Sequence, residues 1–193
     1  MSILDQIIKD KKIEVSKRKN IFPASYWEAS PLFDRATKSL SDNLRNSKSG
    51  IIAEFKRRSP SKKYINNSLS VIEVSEGYEK AGVCGMSILT DGKYFGGSLD
   101  DINLARSVTK LPLLRKEFII DEYQIIEAKA HGADVILLIA SVLNYKQIKD
   151  LSYLAKKLDL EILLEVHNQE ELEMSIMPSI DMIGVNNRNL KNF

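Results

Sequence analysis

Glu54 and Lys56 close an apolar run, Ile51-Ile52-Ala53, and Ser59-Pro60-Ser61 follows them. Alternate positions of a strand face the same side, so this carboxylate and this ammonium share a face. Charges at the end of a strand this apolar are costly unless they are paired or meet solvent. Pro60 lacks an N–H and fixes its own φ, which ends the strand. In parallel α/β folds, the carboxyl ends of strands are where ligands bind. The same pattern recurs downstream. Lys116 and Glu117 close a run in R-K-E-F, Glu165 and His167 close one in L-L-E-V-H-N, and Asn186, Asn187 and Arg188 close another. One such residue alone reads as a solvated strand end. Acid, base and amide groups at several strand ends together read as a catalytic pocket.

The chain supplies elements to position them. Ile3, Leu4, Ile7 and Ile8 mark one helical face over Ser2–Lys19, with Ser2 as N-cap. Asn20–Ser30 reads as a connector around Pro23, and Leu32, Phe33, Ala36, Leu40 and Leu44 predict a second helix. Strands are expected at Ile51–Lys56, Gly85–Thr90, Leu113–Lys116, Asp134–Ala140, Glu161–His167 and Met182–Asn186. Helices are expected between them at Ser70–Ala81, Leu99–Val108, Glu122–His131, Tyr145–Leu158 and Gln169–Ile176, with Gly82 and Gly132 as stops. Val135-Ile136-Leu137-Leu138-Ile139 is continuously apolar, as a parallel strand buried on both faces must be. Repeated βα units fit an open doubly wound sheet or a barrel. The open sheet favours a glycine-rich turn after its first strand. Here that turn is K-R-R-S-P-S, which favours the barrel.

Composition narrows the function classes. The 193 residues suffice for one domain with a sizeable core. A net charge of +2 implies no broad surface for nucleic acid. One cysteine, Cys84, excludes an internal disulfide and any multi-cysteine metal site. The charged N-terminus does not read as a signal peptide, and no apolar run approaches the ~20 residues of a membrane span. A cytoplasmic protein is expected. Cys84 reads as a small core residue, His131 as a surface or capping residue, and His167 as more structural than catalytic. Arg57, Arg58, Lys62 and Lys63 read as a solvated basic loop or as an attractor for an anionic substrate. Asp91–Ser98, with three glycines around two aromatics, reads as a lid or a plain turn.

Six stretches together resemble indole-3-glycerol phosphate synthase. They are I-I-A-E-F-K-R-R-S-P-S at 51–61, S-I-L-T-D-G-K-Y-F-G-G-S-L-D-D at 87–101, L-P-L-L-R-K-E-F-I-I-D-E-Y-Q-I at 111–125, G-A-D-V-I-L-L-I at 132–139, L-L-E-V-H at 163–167 and I-G-V-N-N-R-N-L at 183–190. They occur in family order over nearly all of the chain from residue 51 on. The resemblance implies a (βα)8 TIM barrel with an N-terminal helical extension, here 1–48, and a partial barrel at 49–193, in one domain. It implies a carboxy-lyase of tryptophan biosynthesis. In that reaction an anilino ring carbon attacks the ribulose carbonyl of 1-(2-carboxyphenylamino)-1-deoxyribulose 5-phosphate, CO2 leaves, and water is eliminated. No cofactor or metal is implied.

By position, the resemblance makes Lys116 the general acid of ring closure and Glu165 the acid/base of dehydration. Lys56 contacts substrate anions and assists, Glu54 orients the lysines, and Asn186 orients the reacting hydroxyl. Ser59 and Arg188 contact substrate anions, and Phe95, Phe118 and Leu137 line the aromatic pocket. The family barrel has eight strands, and only six are expected in this chain. The missing portion would carry a phosphate-binding turn, so the 193-residue chain alone is expected to be inactive. Partners are expected to be a phosphorylated small molecule, with no nucleic acid and no membrane. Open barrel edges would suit self-association. The alternatives are a non-catalytic fragment acting through another chain, and another phosphosugar barrel enzyme. The Cys/Asp pair of a phosphoribosyl-anthranilate isomerase does not match Cys84.

Overall fold

The computed structural model describes residues 2–187. Three helices come first: α1 (Ile3–Ile21), α2 (Ala24–Glu28) and α3 (Leu40–Asn46). Strands and helices then alternate as β1 (Ile52–Phe55), α4 (Val71–Lys80), β2 (Gly85–Leu89), α5 (Gly92–Phe95), α6 (Leu99–Val108), β3 (Leu113–Lys116), α7 (Glu122–Ala130), β4 (Val135–Ile139), α8 (Tyr145–Lys157), β5 (Glu161–Val166), α9 (Gln169–Ser175) and β6 (Met182–Val185). One six-stranded sheet has the order β1-β2-β3-β4-β5-β6, and every neighbouring pair is parallel. Chain order is therefore sheet order. A doubly wound sheet would reverse at a switch point, so the winding is that of a TIM barrel. Among the described residues, β1 and β6 each have one strand neighbour.

Two-sided burial explains the apolar runs. All five residues of β4 are buried, and they alternate between two cores. Ile136 and Leu138 face the helix layer, with Ile102, Ile125 and Ile148. Val135, Leu137 and Ile139 face the barrel interior, with Leu114 and with Leu4, Ile7 and Leu40 from the N-terminal helices. No helix among the described residues is long and apolar enough to cross a membrane.

Helix boundaries follow local chemistry. Capping boxes start α1 (Ser2 with Asp5), α4 (Ser70 with Glu73), α6 (Ser98 with Asp101) and α8 (Asn144 with Gln147). Each satisfies two otherwise orphaned backbone donors. The N-terminal segment departs from expectation. Helix α2 lies inside the expected connector, with Pro23 at its N-cap and φ of −63°. Trp27 anchors it, donating from Nε1 to the Tyr123 hydroxyl at 2.7 Å. The helix expected from Leu32 begins only at Leu40. Distant partners claim the intervening backbone and side chains. Arg35 Nη1 and the Lys38 amide both donate to Asp134 Oδ1, at 2.7 and 2.9 Å, and Thr37 donates to the Asp159 carbonyl at 2.6 Å.

These contacts close the amino ends of the strands. Asp134 is fully buried and also accepts from Arg106 and from the Leu113 amide, both at 2.8 Å. Glu161, at the start of β5, accepts from the Ser39 and Ser41 hydroxyls at 2.6 and 2.7 Å and the Leu40 and Ser41 amides at 2.7 and 3.0 Å. The carboxylate thus caps α3. Leu40 plugs the barrel floor with 0% exposure. A Cβ at Gly85 would stand 2.4 Å from Leu40 Cδ1, so glycine there makes room for the plug.

Two outcomes are expected. Burial raises the Glu161 pKa, but the donors from Ser39, Ser41 and Leu40 outweigh it and hold the carboxyl below its ordinary value. A folded-state pKa below the unfolded ~4.3 adds stability above that pH, which is lost as pH falls through the folded value. Glu161→Gln should cost ~1–3 kcal/mol in urea melts at pH 7. The deficit should shrink towards pH 3, and a pH-independent deficit would contradict the assignment. Gly97 packs on the end of β2, where a Cβ would sit 1.9 Å from the Leu89 carbonyl oxygen. Gly97→Ala must move backbone, and thermal melts should show a loss of ~1–3 kcal/mol.

Candidate active site

The strand ends converge on one open cleft of about 260 Å³. Glu54 from β1 and Lys56 just past it line the cleft together with Glu165 from β5 and Asn186 after β6, so the sheet curls back on itself. Of the residues singled out in the sequence, Glu54, Lys56, Ser59, Phe95, Lys116, Phe118, Leu137, Glu165 and Asn186 all line this cleft. Arg188 lies outside the described residues. Leu89, Glu117 and Ile139 also line the cleft. Leu89 and Ile139 end β2 and β4 and carry no polar signal that sequence reasoning could have used.

Two ammonium–carboxylate pairs stand in the cleft. Lys56 Nζ lies 2.5 Å from Glu54 Oε1, the same-face pairing that i, i+2 spacing requires. Lys116 Nζ lies 3.1 Å from Glu165 Oε2 and spans from β3 to β5 across the barrel interior. Asn186 donates from Nδ2 to the other oxygen, Glu165 Oε1, at 3.0 Å. The Glu165 side chain is 7% exposed, against 28% for Lys116. The carboxylate is therefore held in place from both sides, while the ammonium stays reachable from the cleft.

The walls are apolar. Phe95, at the end of α5, and Phe118, just past β3, stand with ring centroids 6.0 Å apart and planes tilted by 40°. Leu137 contributes from the interior face of β4. Asp91–Ser98 forms α5 and its flanks, with Asp91 Oδ1 accepting from the Tyr94 and Phe95 amides at 2.6 and 3.2 Å. Gly96 ends α5 at φ of 70°, a conformation glycine adopts without strain. In the neighbouring loop after β1, Ser59 is buried in a tight turn, its amide and carbonyl both bonded to Lys62.

The basic loop divides by residue type. Arg57 is clamped bidentately by Asp101 at 2.6 and 2.8 Å and lies 4.8 Å over the Phe55 ring. Arg58 donates to the Gly92 and Lys93 carbonyls at 2.7 and 3.0 Å. Both arginines tie the loop after β1 to the loop after β2, while Lys62 and Lys63 are exposed. His131 is buried, which corrects the surface half of its reading. It sits at the C-cap of α7, 4.7 Å from the Trp27 ring, and burial pushes its imidazole below the usual range. His167 faces Glu171, with Nδ1 3.1 Å from Oε2, and does not line the cleft.

An ammonium, an immobilised carboxylate and an amide, facing two aromatic walls, suit proton transfer on an anionic aromatic substrate. Comparisons with known proteins give the family. The profile described as Indole-3-glycerol phosphate synthase matches residues 4–193. The indole-3-glycerol phosphate synthase of Bacteroides thetaiotaomicron is 47% identical over 191 residues, covering 99% of this chain and 73% of the relative. That of Campylobacter fetus subsp. fetus is 43% identical over 192 residues, covering 99% and 74%. That of Caldanaerobacter subterraneus subsp. tengcongensis is 41% identical over 191 residues, covering 99% and 73%. The chain belongs to the indole-3-glycerol phosphate synthase family, carboxy-lyases of tryptophan biosynthesis.

Proposed function

We propose that Lys116 and Glu165 carry the acid–base steps of indole formation on 1-(2-carboxyphenylamino)-1-deoxyribulose 5-phosphate. The observation that carries this reading is the Lys116–Glu165 pair at 3.1 Å, braced by Asn186 in a cleft walled by Phe95 and Phe118. The anilino ring stacks between the aromatic walls. Its carbon attacks the ribulose carbonyl, and Lys116 donates a proton to the oxygen that would otherwise become an alkoxide. The C–CO2 bond then breaks, and its electron pair restores the aromatic ring. Dehydration follows: Glu165 exchanges the protons as the hydroxyl leaves as water.

Lys56 neutralises the substrate carboxylate, and Glu54 aims its ammonium. Asn186 fixes the orientation of Glu165 and of the reacting hydroxyl. Ser59 and Arg188 contact substrate anions, and Leu137 closes the apolar wall. Residues 1–48 act as a helical extension of the same domain. Cys84, the one cysteine of the chain, is buried, and the cytoplasm is the setting this reading gives the enzyme.

The test is turnover by the full-length protein, followed by the absorbance and fluorescence of the indole product. Lys116→Ala should lower kcat by at least ~100-fold, the scale of losing a general acid. Near-normal turnover would remove Lys116 from that role. Glu165→Gln keeps the shape and the Asn186 side of the site but cannot accept a proton. It should lower kcat by ~100-fold or more. Single-turnover traces should then show CO2 release outrunning indole formation. Equal slowing of both signals would move Glu165 to the first step.

A further inference from the structure

Helix α1 sends one ammonium into the protein interior. The Lys11 side chain is 2% exposed and lies 3.0 Å from Asp91 Oδ2, 3.1 Å from Glu117 Oε1 and 2.8 Å from Glu14 Oε2. Burial alone would lower its pKa, but Glu117, Asp91 and Glu14 together overcome that and raise it, so the ammonium stays charged. Asp91 and Glu117 are themselves buried, with side chains 2% and 1% exposed. A buried carboxylate pair of like charge is unfavourable without a cation between its members.

Both carboxylates also hold backbone of the cleft walls. Asp91 Oδ1 accepts from the Tyr94 and Phe95 amides. Glu117 Oε1, which meets Lys11, also accepts from the Phe118 amide at 2.9 Å, while Oε2 accepts from the Thr90 hydroxyl at 2.9 Å. One ammonium therefore joins the segments that follow β2 and β3, each carrying one of the two facing phenylalanines. Glu117 directly follows Lys116 in the chain. Docking of α1 does not need this contact alone. Leu4, Ile7 and Val15 are buried, Lys19 pairs with Asp121 at 2.9 Å, and Lys93 pairs with Asp10 at 2.7 Å.

We propose that Lys11 is a positioning residue of the cleft: by bracketing Asp91 and Glu117, it holds Phe95 and Phe118 at their spacing and fixes the strand end that carries Lys116. The inference rests on the reading of Phe95 and Phe118 as walls of the substrate pocket. It reaches the site from a helix that contributes no residue to the cleft lining.

The test is residue-resolved amide hydrogen exchange, which involves no turnover and so fails separately from the assignment of Lys116. Lys11→Met keeps the length of the side chain and removes its charge. Protection of the Tyr94, Phe95 and Phe118 amides should fall at least ~10-fold, with interior amides of β4 and β5 changing less than ~2-fold. Lys19→Ala, on the same helix, should leave the three amides unchanged. A uniform fall across the protein, or no fall at the three amides, overturns the proposal. If Lys11→Met does not fold, native-state exchange of the unsubstituted protein in low denaturant decides. The three amides should open together with those of α1, in one unit less stable than β4. Opening of the three amides independently of α1 overturns the proposal.

Discussion

Strands β2, β3 and β4 are buried on both faces, and this constraint governs where charge resides. All five residues of β4 are buried and apolar. Charge enters the sheet where a strand begins or ends, or as a guanidinium saturated with acceptors. Arg115 is the latter case. It is fully buried in β3 and donates to the Gln124 carbonyl, to Glu127 and to the Thr90 hydroxyl. The two ends of the barrel then specialise. At the amino ends, Asp134 and Glu161 bind the segment that precedes the sheet. At the carboxyl ends, two ammonium–carboxylate pairs remain within reach of the cleft.

The choice of cation follows the same division. Arginine holds the structure: Arg57 forks onto Asp101, Arg106 joins Asp134, and Arg115 spans to Glu127. A planar fork with five donors suits such fixed, many-partnered roles. Lysine stands where a proton or an anion has to be met: Lys56 and Lys116 are the cations lining the cleft among the described residues. Away from the cleft, lysines also hold structure: Lys129 is buried and donates to the Arg35 carbonyl at 3.1 Å, and Lys11 serves as a rivet. A compact charge fits between three carboxylates where a flat guanidinium would not.

Much of this was legible from residue order. β3 and α6 were read to the residue, and the other strands and α4, α7, α8 and α9 to within one residue at either end, whereas α5 lies inside the stretch read as a lid or a plain turn. Strong periodicity and capping chemistry are local, so sequence carries them. The strand-end residues converged because parallel winding brings all carboxyl ends to one side. What escaped was set by distant partners. The apolar spacing from Leu32 to Leu44 suggests a helix, but Asp134 and Asp159, about a hundred residues on, recruit Arg35, Thr37 and Lys38 into an extended path. Lys11 sits among exposed lysines of α1 and looks like them. Only the closed fold places it between Asp91 and Glu117. His131 follows a helix, as a surface residue would, yet α2 covers it with Trp27.

The clasp beneath the barrel also bears on the order of folding. Ser39, Leu40 and Ser41 are bound by a carboxylate 120 to 122 positions later in the chain. Contacts of such sequence separation incur a large loop-closure cost before they return any stabilisation, and they form late. During synthesis, which proceeds at ~5–20 residues per second, the segment before the sheet must wait several seconds for Glu161 to leave the ribosome. Until then Leu40 has no floor to plug and α3 has no cap. Residues 39–41 are thus made before the sheet yet locked in place only once β5 has formed, so they act as a late latch on the sheet rather than as its nucleus.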